Sequence, residues 1–470
     1  MGLGKRKTER QQDLFVPADA LPQSPGHVFY KRLNELLAEA GFDPWVEELC
    51  APFYADGKGR ESIPPGTYFR MLLVGYFEGI GSQRGIAWRC SDSLSIREFL
   101  GIPLNRQSPD HSSLSVIRER LPLEVHGRVF NWILRLAKEK KLLKGKTVAV
   151  DSTTLEANAA MKSIIRRETG EDWKEYIVRL MQEAGVVEEG TTPSDEEIRR
   201  YDKRRKGKKV SNDEWVSPND PDSRIARMKD GTTHLAYKAE HVVDLDTGVL
   251  LAAEVYHADE SDPQTLEDSL HQAQINQEST ASEEEIRDVA ADKGYHSART
   301  IGTLAEHTPY RTYIPEPRQS KKRRWTDKPA EQQAAVYANR RRVRGGRGKR
   351  LQRLRSEFVE RSFAHVCETG GARRTWLQGI EKVRKRYLIA AAAYNLGCLM
   401  RSLFQMGTPR GLQAFVDLVS SLYFTIVMLF RIPMARYCIP APGIIGHRRP
   451  GLAGPAPAPP LRNARFSTGC

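Results

Sequence analysis

The run Lys146-Thr147-Val148-Ala149-Val150-Asp151 decides how this chain is read. Its apolar residues and its β-branched Thr147, Val148 and Val150 predict a short buried strand, and the strand stops on a carboxylate. A second such run, Arg287-Asp288-Val289-Ala290-Ala291, stops on Asp292. Between them, residues 233–243 and 249–256 read as a hairpin around the turn Asp244-Leu245-Asp246-Thr247-Gly248. A helix fits 262–276, with Asp262 before Pro263 as its cap. Another fits 297–306, a short strand fits 310–314, and helices resume at 351–367 and 380–402. This order of strand, hairpin, helix, strand, helix, strand, helix predicts a mixed α/β fold, a sheet with helices on its faces.

Upstream, the spacing is helical. Phe29, Leu33, Leu36 and Leu37 predict a helix from His27 to Glu39, stopped by Gly41. Further helices fit 65–78, 82–90, 95–100, 111–119 and 122–140, punctuated by Gly79, Gly81, Gly101 and Pro103. Residues 1–25 read as a flexible leader and 26–145 as a helical domain for DNA binding or dimerisation. Residues 146–405 read as the mixed α/β unit. Within it, 152–230 is a charged excursion after the first strand, carrying the basic block Lys203 to Lys209. Residues 316–350 read as a basic loop. Residues 406–470 form a tail whose Pro/Gly/Ala-rich end, Pro440 to Cys470, predicts disorder. The apolar stretch Phe415 to Phe430 is short for a membrane span and contains Asp417, so it reads as a buried helix.

Composition narrows the function. Of 470 residues, 73 are Lys or Arg and 59 are Asp or Glu, a net charge of +14. The cations come in clusters, which favours a polyanionic partner, nucleic acid above all. Six cysteines with no CxxC pair argue against a disulfide scaffold or a thiolate zinc site, and fit a reducing cytoplasm. Gly145-Lys146-Thr147 imitates the end of a phosphate-binding loop, but a strand follows it instead of a helix. His234, His241 and His257 lack zinc-ligand spacing, and no GxSxG supports a serine hydrolase.

The remaining chemistry lies in carboxylates. Asp151 and Asp292 at the ends of neighbouring strands can converge at one sheet rim. Oxygen ligands placed so suit Mg²⁺ or Mn²⁺. A third acid would come from the helix holding Val359 and Phe363, where Glu360 and Glu357 are the candidates. Taken singly, each residue also has a plain structural reading, as turn former, helix cap or solvated charge.

Four stretches raise the assignment. Ala149–Met161 (AVDSTTLEANAAM), Ala291–Ser297 (ADKGYHS), Val359–Val366 (VERSFAHV) and Gly379–Leu396 (GIEKVRKRYLIAAAAYNL) resemble the bacterial insertion-sequence transposases of the DDE superfamily, from about Arg60 to Arg401. The resemblance implies a ribonuclease-H-like catalytic core, an all-helical N-terminal domain and an insertion after the first core strand. It implies Asp151, Asp292 and Glu360 as catalytic acids and ligands of two Mg²⁺ (or Mn²⁺) ions. Cleavage at the element's ends and strand transfer to target DNA would follow, by two-metal phosphodiester chemistry. The partners implied are double-stranded DNA, both terminal inverted repeats and target, and a second copy of the chain, with no membrane. The place implied is the bacterial cytoplasm, at the nucleoid. Tyr295, after the second acid, is implied as a neighbour of the site.

The sequence departs from the family around the third acid. Arg353 and Ser356 stand where a Tyr and an Arg are usual, Cys367 stands where a Lys is usual, and Arg355 is offered as the substitute Arg. DNA contacts are expected from Lys321, Lys322, Arg323, Arg324 and Trp325, from Arg340, Arg341, Arg342 and Arg344, and from Arg361 and Arg373-Arg374. The rival functions are a ribonuclease-H-like nuclease and an inactive or domesticated DNA-binding derivative.

Overall fold

The start of the first strand is fixed by a carboxylate. Asp244 is buried and accepts from the backbone N–H of Lys144 and Gly145 at 2.9 and 3.1 Å, and from the Thr247 hydroxyl at 2.8 Å. Gly145 has φ +69, and a Cβ there would collide with Gln277, so only glycine turns the chain into the sheet here. The computed structural model describes residues 25–55, 62–206, 211–228, 231–318 and 328–409, together with residues 17, 325 and 326.

Seven helices precede the sheet: α1 (Pro25–Glu39), α2 (Phe42–Cys50), α3 (Pro65–Phe77), α4 (Gln83–Asp92), α5 (Leu94–Phe99), α6 (His111–Arg120) and α7 (Leu123–Glu139). Helix α3 is apolar nearly all round and is buried along its length. Its Arg70, 4% exposed, is held by Asp43 at 2.7 Å and Asn34 at 2.8 Å, so the buried charge is paired.

Strand β1 (Thr147–Glu156) opens the core. An excursion follows, with β2 (Ile165–Arg166), α8 (Trp173–Glu183), α9 (Asp195–Arg204), β3 (Trp215–Val216) and β4 (Arg224–Arg227). Ile177, Met181 and Ile198 give its helices a small core of their own. The chain then forms β5 (Thr233–Asp244), β6 (Leu250–His257), α10 (Asp262–Glu278), β7 (Asp288–Ala291), α11 (Ala298–His307), β8 (Arg311–Tyr313), α12 (Ala330–Arg344), α13 (Gly346–Phe363) and α14 (Ile380–Phe404). The main sheet runs β4-β5-β1-β7-β8, with β6 also on β5. Pairs β1–β5 and β5–β6 are antiparallel, and β7 and β8 run parallel to β1. The fold is therefore a mixed α/β sheet preceded by a helical region, and one continuous hydrophobic core joins the two.

Two helix asparagines close the sheet's backbone bonds. Asn395 of α14 pairs with both backbone groups of Leu250, and Asn339 of α12 with both of Ile314, all between 2.8 and 3.0 Å. Each replaces a missing strand with one amide. Helix α14 is apolar and long enough for a membrane span, yet most of it is buried inside this core.

Three expectations are corrected. The first strand does not stop at Asp151: β1 stays paired with β5 as far as Glu156, so Asp151 lies within it. Its cross-strand partner is His241. Residues 316–350 are not one loop. Helix α12 lies inside them, because Val336 and Asn339 are buried against the sheet while the arginines lie around them. The cap of α10 is Ser261, whose N–H meets Gln264 at 2.8 Å in a capping box. The leader (residues 1–16 and 18–24) and the tail from residue 410 lie outside the described residues, apolar stretch included.

His241 ties three elements together. Its Nδ1 meets Ser362 Oγ of α13 and its Nε2 meets Tyr387 OH of α14, both at 2.8 Å, and its ring stacks on Phe363. Burial pushes its pKa down to about 3, and that of buried His126 down to about 4. Both imidazoles are neutral when folded and can protonate near 6.5 when unfolded, so the unfolded state binds more protons below that pH. Stability is therefore retained above pH 6.5 and lost as pH falls toward these folded values, by about 2 kcal/mol at pH 5 for His241 alone. Urea unfolding at pH 7 and pH 5 should show that loss, and His241→Gln should flatten it.

Candidate active site

Strands β1 and β7 are parallel neighbours, with Val150 opposite Ala291. The next residue on each is an aspartate, so this register alone puts Asp151 beside Asp292. Helix α13 packs over them. Gln352 donates to the carbonyls of Ala291 and Tyr313, and Val359 is fully buried. Three residues after Gln352, on the same helical face, comes Arg355. Its Nη1 lies 2.6 Å from Asp151 Oδ2, and its Nη2 lies 3.9 Å from Asp292 Oδ1. Arg355 is 14% exposed against 26% for Asp151 and 46% for Asp292, so the cluster opens to solvent on the Asp292 side.

Glu360 and Glu357 lie elsewhere on α13. Glu360 is exposed and accepts from Ser356 Oγ at 2.8 Å, and Glu357 pairs with Arg361 at 2.7 Å. Among the described residues, no three His, Cys, Asp or Glu side chains gather closely enough to hold a metal ion. The two aspartates nonetheless fit a cation. They are hard oxygen donors, and a guanidinium already stands between them.

The opposite face of the sheet carries a polar cluster of which sequence reasoning named only Tyr295. Lys238 Nζ reaches Asp262 and Thr265 at 2.8 Å and Glu240 at 3.4 Å. Tyr295 OH donates to Glu240 at 2.8 Å, and Ser152 Oγ donates to Asp262 at 3.0 Å. Burial pushes the Glu240 carboxyl up, against the pull of Lys238. The available signal was Lys238 and Glu240 at alternate positions of a strand that is buried along most of its length, and so on one face of it. Ser152, next to Asp151, and Gly294, two residues after Asp292, line a cleft of about 570 Å³ with Lys238 and Asp262.

The expected DNA-contacting cations divide. Lys321, Lys322, Arg323 and Arg324 lie outside the described residues. Trp325 is half-buried, its ring 5.8 Å from that of Tyr337. Arg340 pairs with Glu316 at 2.8 Å, and Arg342 donates to the Thr312 carbonyl at 2.9 Å, so both brace the fold. Arg341 and Arg344 are exposed. Arg361 pairs with Glu357 and lies over the Phe358 ring. Arg373 grips β1 through Thr153 Oγ1 and the Thr154 carbonyl, at 2.8 and 2.7 Å.

Comparison with known families agrees with this geometry. Residues 144–396 match the family described as "Transposase DDE domain", and residues 18–120 match that described as "Transposase domain (DUF772)". No curated protein and no solved structure matches the chain. The first match takes in β1, β7, α13 and more than half of the chain, which therefore belongs to the insertion-sequence transposases of the DDE superfamily.

Proposed function

We propose that this transposase cleaves DNA at the ends of its element and joins them to target DNA, with Asp151, Asp292 and Glu360 as acids holding two Mg²⁺ or Mn²⁺ ions. The observation that carries this is the convergence of two carboxylates, from adjacent parallel strands, on one guanidinium. The antiparallel strands β6, β5 and β1, followed by the parallel β7 and β8, support a ribonuclease-H-like core with an insertion after its first strand. Bound divalent cations supply water activation and stabilise charge on the leaving oxygen.

The chain's own groups do the positioning. Asp151 is held in a paired strand and Asp292 ends another, so neither carboxylate needs reorganising before reaction. Arg355 offsets part of their charge in the resting protein, and its guanidinium, opposite in charge to a phosphodiester, would meet the scissile phosphate. In cleavage, water attacks phosphorus, the bond to the 3′ oxygen breaks, and that oxygen leaves as a hydroxyl once protonated. In joining, the freed 3′-hydroxyl attacks a target phosphodiester and releases a target 3′-hydroxyl. A dimer would bring both ends together. A second reading, a DNA-binding derivative without catalysis, is favoured by the position of Glu360, which gathers no third carboxylate among the described residues.

A labelled duplex carrying the element's end, with Mg²⁺ or with chelator, separates the two. Wild type should nick the end only with Mg²⁺, and Asp292→Asn should reduce nicking at least about 10³-fold while binding DNA as before. Binding without nicking in any divalent metal would establish the second reading. Arg355→Gln should cost about 1–3 kcal/mol of stability without metal, and the Arg355→Gln/Asp151→Asn double variant should recover part of it, measured by urea unfolding.

A further inference from the structure

A cavity of about 410 Å³ lies where the helical region meets the segment after α13. Three arginines line it: Arg84 from the first turn of α4, Arg118 from α6 and Arg386 from α14. His111 and Trp376 also line it, and its lining includes no carboxylate. Arg118 is 3% exposed, Arg386 is half-buried and Arg84 is exposed. None of the three forms an ion pair with a described carboxylate.

Neutral groups hold two of them. Arg386 donates to the carbonyls of Leu72 and Ile80 at 3.4 and 3.2 Å, and Arg118 lies against the Tyr68 hydroxyl and the Gln83 side-chain amide. Neutral acceptors position a guanidinium but leave its charge uncompensated. Burial and the nearby charge of Arg118 push Arg386 down to about 10, so it remains cationic at neutral pH. At the rim, His111 pairs with Asp110 at 3.0 Å.

The remaining wall is aromatic. Trp376 is 53% exposed and has the Arg374 guanidinium 5.4 Å from its ring centre. Gly81 lets the tryptophan lie this close, since a Cβ there would stand 3.0 Å from its Nε1. The segment carrying Trp376 is tied to the strand that carries Asp151. Glu156 N donates to the Arg373 carbonyl, and Thr375 N donates to the Glu156 carbonyl, both at 2.9 Å. Glu156 lies about 17 Å along β1 from Asp151, at 3.3–3.4 Å per residue, equal to the rise of about five base pairs.

We propose that this cavity is a second DNA contact, in which Arg84, Arg118 and Arg386 take one backbone phosphate and Trp376 packs against the adjoining nucleoside. It rests on DNA as substrate but not on the role of the acids. A pocket of this size admits a nucleotide. Guanidiniums without carboxylate partners suit a phosphate, and an exposed indole beside them suits a base or sugar.

The test uses the full chain with a fluorescein-labelled duplex carrying the element's end, read by anisotropy over a salt series. Arg84→Gln and Trp376→Ala change exposed side chains, and thermal unfolding confirms that each folds. Arg84→Gln should lower the slope of log K against log salt measurably, by at most about 0.9, the value of one whole phosphate contact. Trp376→Ala should weaken binding about tenfold. Wild-type binding with both variants unchanged overturns the pocket alone and leaves the proposed activity standing. Failure of wild type to bind duplex overturns both. Inorganic pyrophosphate serves as a third arm. If it stabilises wild type but not Arg84→Gln, and does not compete with DNA, the cavity is a small-anion site and the DNA assignment falls.

Discussion

Two like charges forced side by side need a cation between them, and the centre of this fold is arranged around that need. The β1–β7 register leaves Asp151 and Asp292 no freedom to separate, because each is attached to a buried strand. Their mutual repulsion is offset by Arg355 from a third element. The helix that carries Arg355 is in turn set by Gln352, Val359 and Ser362 against the sheet. Packing thus supplies the position, and electrostatics gives the position its use.

The sequence made much of this legible. Strands β1, β5, β6 and β7 declare themselves by β-branched or apolar runs, and Asp151 and Asp292 follow from where the apolar residues stop. Arg355 was offered because it stands next to a position where the family has an arginine. What stayed hidden depends on partners distant in the chain. The length of β1 beyond Asp151 is set by β5, since Ser152, Thr153 and Thr154 carry no apolar pattern of their own. Helix α12 reads as loop in the sequence because its arginines swamp its few apolar residues; burial of Val336 and Asn339 decides it. The partners of Lys238 and Glu240, on α10 and at Tyr295, meet them only in the fold.

The cations illustrate the same limit. A run of arginines advertises an anionic partner, but Arg340, Arg342 and Arg373 are consumed by the protein's own acceptors. Arg84, Arg118 and Arg386 are scattered through the sequence and meet only in the fold. Local charge density therefore shows neither which cations are paired within the protein nor which ones meet.

The contact from His241 to Ser362 also acts as a ruler. Ser362 and Arg355 are seven residues apart, close to two helical turns, so both face the sheet. Because Ser362 is pinned to β5, the spacing between them is a reading frame for the site. Inserting or deleting one residue within 356–361 would rotate Arg355 by about 100° and carry its charge away from Asp151. A whole-heptad insertion would restore the facing but carry Arg355 about 10 Å along the helix axis, out of reach of Asp151. Related sequences can vary on the exposed side of this helix, but the length between these two contacts should stay fixed.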